Sequence, residues 1–539
     1  MTPRDPIVIV GSGASGVHFA QSALERGRKV LMLDVGNARL PAPFPEDDLD
    51  TLKRRLPEPA RWFLGDEFES LILPGADGEY YGFPPSKNYV FKEHDAFRWR
   101  ATGFEPLVSF ATGGLAEAWT GGSYPFTAAE TAAFPFDYRE LLEAYSIVAR
   151  RIGISGAEDD MARFFPLHDG LMEPVALDDH ALRLLDAYDS RRGEFNDKHR
   201  FYLGRARLAV LSKAKDGRRA CDRLGRCLWG CPSDSLWTPG VAFRALREHP
   251  NFDAVTGIFV DHFEADAGGR VIAVHAKDAA GAARTFEVGT LVLAAGTLAT
   301  ARIFLASLRA DLGKAPPLYG LIDNRQMLMP FVNLKLLGQS FEPRSYQYHQ
   351  LAMGYDAGGP MDYVHGLVTT LKTALVHPVI QNLPFDLRTS TAFFRGMHKA
   401  LGLVNINFSD ERRLANTVAL ERGPDGADRL VVEYRPAAAE KARLARTAAH
   451  FRKMLAKLGC LAPAAMTHVR PMGASVHYAG LLPMAREGSL LTTDPAGQSR
   501  AYENLFVVDG STFPALPAKN LTFTLMANSV RIAARVFGP

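Results

Sequence analysis

Apolar runs that end on glycine organise this chain. The first, Ile7 to Val10, is apolar at four consecutive positions, as a strand covered on both faces would be, and it runs into Gly11-Ser12-Gly13-Ala14-Ser15-Gly16. A helix rich in small residues is predicted next, then a second apolar run from Lys29 to Leu33 that closes on Asp34. Strand, glycine turn, helix, strand and acid, in that order, describe a dinucleotide-binding βαβ unit. Gly11 permits the tight turn, Gly13 lets the backbone approach a pyrophosphate, and Gly16 lets the helix lie close on the strand. Phosphates would meet unpaired N–H groups at the helix start. Asp34 stands where a carboxylate accepts hydrogen bonds from an adenosine ribose and disfavours the extra phosphate of NADP.

The same form returns twice. The run Leu291 to Ala295 is apolar on both faces, ends on Gly296, and leads into a small-residue helix predicted from Thr297 to Leu305. Near the C-terminus, Asn504 to Val508 ends on Asp509-Gly510-Ser511, and Asn520-Leu521-Thr522 opens a helix predicted through Val536. A sheet gathering three such strand ends on one edge would hold its ligand there. Between them, Phe252 to Phe263 and Arg270 to His275 read as strands. Asp137 to Ile152 reads as a helix, with Leu141, Leu142, Tyr145, Val148 and Ile152 on one face.

Elsewhere periodicity is lost. Pro41, Pro43, Pro45, Pro57 and Pro59 punctuate a loop-rich excursion from Asp34 to about Phe110, of the kind that carries lids or substrate contacts. The stretch Thr112 to Gly122 is glycine-dense yet apolar, which points to backbone at Gly113 and Gly114 passing close to a flat ligand, with Ala118 and Trp119 nearby. From about Gly320 to Leu461, aromatics and histidines accompany mixed strand and helix signals, read as a substrate domain inserted between nucleotide-binding segments. Within it, Val368 to Leu401 reads as a partly buried helical pair broken by Pro378 and Pro384, with a membrane surface or greasy substrate as the alternative contact.

Composition narrows the class. A chain of 539 residues should hold two or three domains. Its 62 basic and 59 acidic residues are interspersed, so no nucleic-acid footprint is expected. Four cysteines do not make a disulfide scaffold, and Cys221, Cys227 and Cys231 lack the paired spacing and the fourth ligand of a structural zinc site, so they are read as packing residues. No apolar run reaches the length of a membrane span, and a strand beginning at Ile7 leaves no room for a signal peptide, so a reducing, cytoplasmic setting is expected.

His477 lies among small residues in Gly473-Ala-Ser-Val-His477-Tyr-Ala-Gly480, ahead of the last strand and the amide at Asn520. With these pieces the chain resembles the glucose-methanol-choline (GMC) family of flavin oxidoreductases: the Gly11 to Gly16 fingerprint with Asp34, the Gly113-Gly114 loop, the strand ending Ala295-Gly296, and Val507 to Ser511 followed by Asn520. The resemblance implies an α/β fold, with a Rossmann-type FAD-binding domain (1-40, 105-125, 205-315 and 465-539) and an inserted α+β substrate-binding domain with lid segments (41-104, 126-204 and 316-464). It implies FAD with its adenosine end on Gly11, Ser12, Gly13, Ala14, Ser15, Gly16 and Asp34, the main chain near Val260 beside the adenine, and Asp509-Gly510 near the phosphate and ribityl region. His477 and Asn520 would face the flavin ring, with Leu521 and Thr522 at the following helix start. Sugar-oxidising relatives carry a histidine in the Gly-Gly loop that bonds the flavin covalently; Ala118 stands before Trp119-Thr120 here, which implies a noncovalent cofactor. Leu521 departs from the proline usual after the catalytic asparagine, and Tyr478 to Met484 lacks the family's glycine-rich, Arg-containing continuation.

The implied chemistry is oxidation of a small-molecule alcohol, a sugar, polyol, glycoside or lipidic alcohol, to a carbonyl. His477 would take the hydroxyl proton as hydride passes to flavin N5, and Asn520 would hold the oxygen. Oxygen, a quinone or a partner protein remains open as electron acceptor. Two other readings stay open: an NAD-dependent dehydrogenase using the first βαβ unit alone, and a catalytically idle flavin-binding electron-transfer or assembly subunit.

Overall fold

A computed structural model describes residues 6–39, 44–71, 79, 83–371 and 376–538. Pro41, Pro43 and Lys372 lie outside the described residues, as do parts of the segments read above as a loop-rich excursion and a helical pair.

A five-stranded parallel sheet carries the glycine turns. Its order is Leu505–Val507, Thr290–Leu293, Ile7–Val10, Val30–Leu33 and Phe252–Val255, so the chain's first strand sits in the middle between later arrivals. The continuous apolar runs follow from that position, because both faces are covered. Ile7 and Ile9 point into a core with the helices Ala14–Leu24, Tyr138–Ile152 and Thr522–Phe537, whereas Val8 and Val10 join Leu291, Leu293 and the helix Thr297–Leu312 on the other face. The second core also takes Phe259, Phe263 and Val274 from a three-stranded antiparallel sheet, Ala283–Glu287, Val271–Asp278 and Ile258–Ala265.

The strand expected from Phe252 to Phe263 is two strands. Gly257, at φ +76°, turns the chain after Val255, sending Phe252–Val255 into the parallel sheet and Ile258–Ala265 into the antiparallel one. The helix from Tyr138 starts as its sequence indicates, with the Asp137 side chain accepting from Arg139 N at 2.8 Å.

A larger, mainly antiparallel sheet stands apart. Its order is Cys460–Leu461, Gln326–Asn333, Leu401–Asn407, Tyr363–Thr370, Leu351–Asp356 and Phe201–Arg205, with His468–Val469 also paired to Gln326–Asn333. Its core with the helices Asp179–Asp189 and Glu440–Lys457 is separate from the two described above. The block expected at 316-464 does not belong wholly to this sheet. Strands Thr417–Arg422 and Asp428–Glu433 pair with each other and reach Arg98–Thr102, and Val418, Leu420, Leu430 and Val432 pack into the core beneath the parallel sheet.

The start of Val368 to Leu401 differs from the helical pair expected. Val368 to Thr370 finish a strand, and the helices are His377–Ile380 and Leu387–Met397. Proline occupies the first turn of the former and so opens it, in keeping with a position where the missing N–H costs nothing.

Leu293 is fully buried between neighbouring parallel strands. Leu293→Ala is expected to cost about 2–5 kcal/mol, read as a lowered denaturation midpoint at unchanged m-value.

Candidate functional site

The carboxyl ends of Ile7–Val10, Val30–Leu33 and Thr290–Leu293 open into one elongated cleft, joined by the segment after Leu505–Val507. Of the positions singled out from the sequence, Gly11, Ser12, Gly13, Ala14, Ser15, Asp34, Gly113, Gly114, Val260, Ala295, Gly296, Asp509, Gly510, Leu521 and Thr522 all line it. Gly16 lies just behind: a Cβ there would sit 2.0 Å from the Gly11 carbonyl oxygen, so the turn and helix close only around glycine. Gly13 by contrast has just the Gly113 carbonyl within reach of an added Cβ, at 3.9 Å, which leaves a bare backbone surface on the cleft. That surface and the helix start at Ala14 fit a pyrophosphate.

A hydrogen-bond chain ties the turns together. Asp34 Oδ2 accepts from Ser12 N and Ser12 Oγ, each at 2.7 Å, and Asp34 Oδ1 accepts from Gly36 N at 2.7 Å. Ser12 Oγ in turn accepts from Gly113 N at 2.9 Å, which draws the Gly-Gly loop onto the first turn. Asp34 therefore braces the cradle from within, a task its position after an apolar run does not reveal. Burial pushes its carboxyl up to about 6. Asp509 does the same on the other side. Its carboxylate accepts from Gly296 N at 2.9 Å, from the Thr300 hydroxyl and from Ser511 N at 3.0 Å, and burial raises its proton affinity also.

Ala118 and Trp119 do not line the cleft. The short 3₁₀ turn Gly114–Ala118 carries Ala118 into a small core with Val90 and Ala111, and Trp119 turns away to donate from Nε1 to Trp237 O at 2.7 Å. Leu115 and Ala116, from the same stretch, face the cleft instead. Sequence reasoning also missed Phe97, Phe110, Phe259 and Arg302 on the cleft wall. The aromatic spacing around Phe97 and Phe110 was the available signal, hidden in a stretch without periodicity.

His477 and Asn520 meet beside the cleft. Asn520 Nδ2 lies 3.3 Å from His477 Nε2, although the residues are 43 apart in sequence. Their neighbours Val476, Tyr478, Leu521 and Thr522 line the cleft. His477 Nδ1 and Asn520 Oδ1 are buried without hydrogen-bond partners. Burial, with a smaller contribution from the charge of Arg470, holds the His477 imidazole down to about 4, so it is neutral at physiological pH. Two further histidines, His349 and His365, are electrostatically coupled to His477, and burial lowers both. Lys519, next to Asn520, is buried in an ion pair with Glu130 at 2.6 Å and also donates to Pro125 O at 3.1 Å and to Phe164 O.

The four cysteines are free. Cys221, Cys227 and Cys231 pack beside a core that includes Tyr124 and Phe165, and Cys460 belongs to the separate large-sheet core. Burial pushes the Cys221 thiol up to about 11 and raises Cys227 as well, which leaves little thiolate for reaction. Among the described residues no group of three or more His, Cys, Asp and Glu could hold a metal ion, and no helix is long and apolar enough to cross a membrane.

A parallel sheet with a glycine cradle, closed by a C-terminal strand and helix over an imidazole–amide pair, defines a dinucleotide-dependent oxidoreductase. Comparison with known proteins agrees. Residues 412–529 match the family model described as GMC oxidoreductase. Paromamine 6'-oxidase of Streptomyces fradiae is 24% identical, over 99% of this chain and 91% of its own length, and 6'''-hydroxyparomomycin C oxidase of Streptomyces lividus is 23% identical, over 98% and 91%. Among solved structures, pyridoxine 4-oxidase from Mesorbium loti superposes with a TM-score of 0.61 at 17% identity, and a formate oxidase variant from Aspergillus oryzae RIB40, studied for FAD modification, with 0.60 at 13%; each match covers 99% of both chains. Over residues 412–529 the chain is similar to the GMC oxidoreductases, and the comparisons support an FAD-dependent alcohol oxidoreductase.

Ser12→Ala removes the hydroxyl that links Asp34 to Gly113. FAD affinity, measured by fluorescence titration of deflavinated protein, is expected to fall by roughly tenfold, in line with about 1–2 kcal/mol for the lost bonds.

Proposed function

We propose that this enzyme oxidises a primary or secondary alcohol to the carbonyl, with His477 as the base and Asn520 orienting the alcohol oxygen. The observation that carries this reading is the 3.3 Å approach of Asn520 Nδ2 to His477 Nε2 beside the cofactor cleft. Gly11 to Ala14, Gly113, Gly114, Gly296, Asp509 and Gly510 would hold FAD, which when bound supplies the two-electron acceptor for the hydride leaving the alcohol carbon. Ala118 offers no nucleophile to the cofactor, and we take attachment to be noncovalent. The nucleotide sheet with its flanking helices would form the FAD-binding domain, and the large antiparallel sheet the substrate-binding one.

The chain's own contribution is proton handling and orientation. A neutral imidazole whose Nε2 accepts from an amide carries its lone pair on that nitrogen, the form a base needs. An alcohol entering between them would give its proton to His477 Nε2 while its oxygen accepts from Asn520 Nδ2. The curated relatives are named for oxidation at the 6' position of paromamine and for 6'''-hydroxyparomomycin C, which supports a hydroxyl on a glycoside as the substrate among the sugar, polyol and lipidic alternatives.

An anaerobic panel of alcohols, scored by bleaching of flavin absorbance, tests the reading; no bleaching by any of them would refute it. His477→Ala is expected to slow flavin reduction by about 10² to 10⁴ with the oxidised spectrum unchanged, and an unaltered rate would remove His477 from the mechanism.

The acid limb of the pH profile follows from the lowered imidazole. The base is present above about pH 4 and lost as pH falls through it, so kcat/KM should hold through pH 5–6 and drop near 4. The same depression below the unfolded value near 6.5 contributes stability that is fully present above that value and disappears as pH falls toward 4. A limb near 6.5 would contradict the buried, neutral histidine.

A further inference from the structure

His477 and Asn520 sit on loops with no regular secondary structure of their own, yet they meet within hydrogen-bonding distance. The residue before the histidine, Val476, has φ +56°. A β-branched side chain rarely occupies that region, so the surroundings must enforce it. On one flank Gly473, at φ +93°, is wedged against the Glu105 backbone, where an added Cβ would lie 2.4 Å from the carbonyl oxygen.

On the other flank one tripeptide reaches both loops. Ile322 pairs with Ala479, two residues past His477, through Ile322 N to Ala479 O at 3.1 Å and Ala479 N to Ile322 O at 2.8 Å. Asp323 Oδ2 accepts from Gly473 N at 2.6 Å, and Asp323 Oδ1 accepts from the Ser475 hydroxyl. Ser475 Oγ then accepts from His477 N at 2.9 Å, which completes a link from the carboxylate to the histidine backbone. Asn324 Nδ2 donates to Phe408 O at 2.8 Å and to Pro517 O at 2.9 Å, three residues before Asn520. Asp323 and Asn324 are both buried.

We propose, on the basis of the reading of His477 and Asn520 given above, that Ile322-Asp323-Asn324 is a clamp that sets the two residues against each other, with Asp323 and Asn324 as positioning residues. Asp323 is a costly residue to keep for any lesser purpose. The neighbouring Arg325 is taken by Glu440, at 3.1 and 2.9 Å, and among the described residues no Lys or Arg forms an ion pair with Asp323. Burial first, and the nearby Asp410 as well, push its carboxyl up to about 7. A buried acid without a cationic partner is retained where its acceptor oxygens are needed, and charge-assisted bonds from a loop N–H and a hydroxyl are such a need.

The test is Asp323→Asn in the FAD-loaded enzyme. An amide can accept from only one of the two donors that Asp323 serves. Amide hydrogen exchange should quicken in peptides covering residues 473–480 and stay unchanged in residues 7–24, and a crystal structure should show the His477–Asn520 separation beyond hydrogen-bond reach. Flavin reduction at saturating alcohol should fall roughly 10- to 100-fold with KM and flavin content preserved. Adding Val476→Gly should recover part of that loss, because glycine takes the positive φ freely. If Asp323→Asn folds poorly, Ser475→Ala cuts the same link while leaving the carboxylate and its bond to Gly473.

Unchanged exchange with the pair still in contact would overturn the clamp, as would faster exchange spread over the whole protein with no local excess. Exchange and the separation are read without any alcohol, so they decide the clamp even if no alcohol reduces the wild-type flavin and the reaction assigned above fails.

Discussion

Loops crossing the carboxyl edge of the parallel sheet leave backbone N–H groups with no strand to pair with, and buried or half-buried carboxylates take them. Asp34 accepts from Ser12 and Gly36, Asp509 from Gly296 and Ser511, and Asp323 from Gly473. An orphaned buried donor costs about 1–3 kcal/mol, so each acid stabilises the loop geometry that depends on it. The burden appears as a raised proton affinity at all three, caused chiefly by burial. Segments hundreds of residues apart are brought to one cleft by the sheet order; these acids fix how they face it.

The two cores divide the labour. Residues alternating along Ile7–Val10 anchor the parallel sheet to helices on both faces. The large antiparallel sheet has its own core with Glu440–Lys457, yet the strands Thr417–Arg422 and Asp428–Glu433 return from that part of the chain to pack under the parallel sheet.

Much of the cradle was legible because it depends on local backbone needs. Gly11, at φ +104°, and Gly16, against the Gly11 carbonyl, answer to steric limits set within the turn, and the apolar runs at Ile7 and Leu291 report a strand covered on both faces. Long-range bonds leave no such trace. Nothing around Asp34 announces that Ser12 holds it, and nothing near Asp323 points to a loop 150 residues on. Ala118 and Trp119 were assigned by nearness to the Gly-Gly pair, but a 3₁₀ turn rotates them off the cleft and brings Leu115 and Ala116 onto it. The strand from Phe252 was read through Gly257 because a single glycine between apolar runs does not tell a bulge from a change of sheet.

The buried ion pair beside Asn520 has an evolutionary consequence. Lys519 and Glu130 are both almost wholly enclosed, and loss of either partner would strand the other's charge in the interior, at about 3–5 kcal/mol. Single replacements at either position are thus strongly destabilising. Replacing both partners together removes that stranded charge, so the lysine and the glutamate are expected to change as a pair.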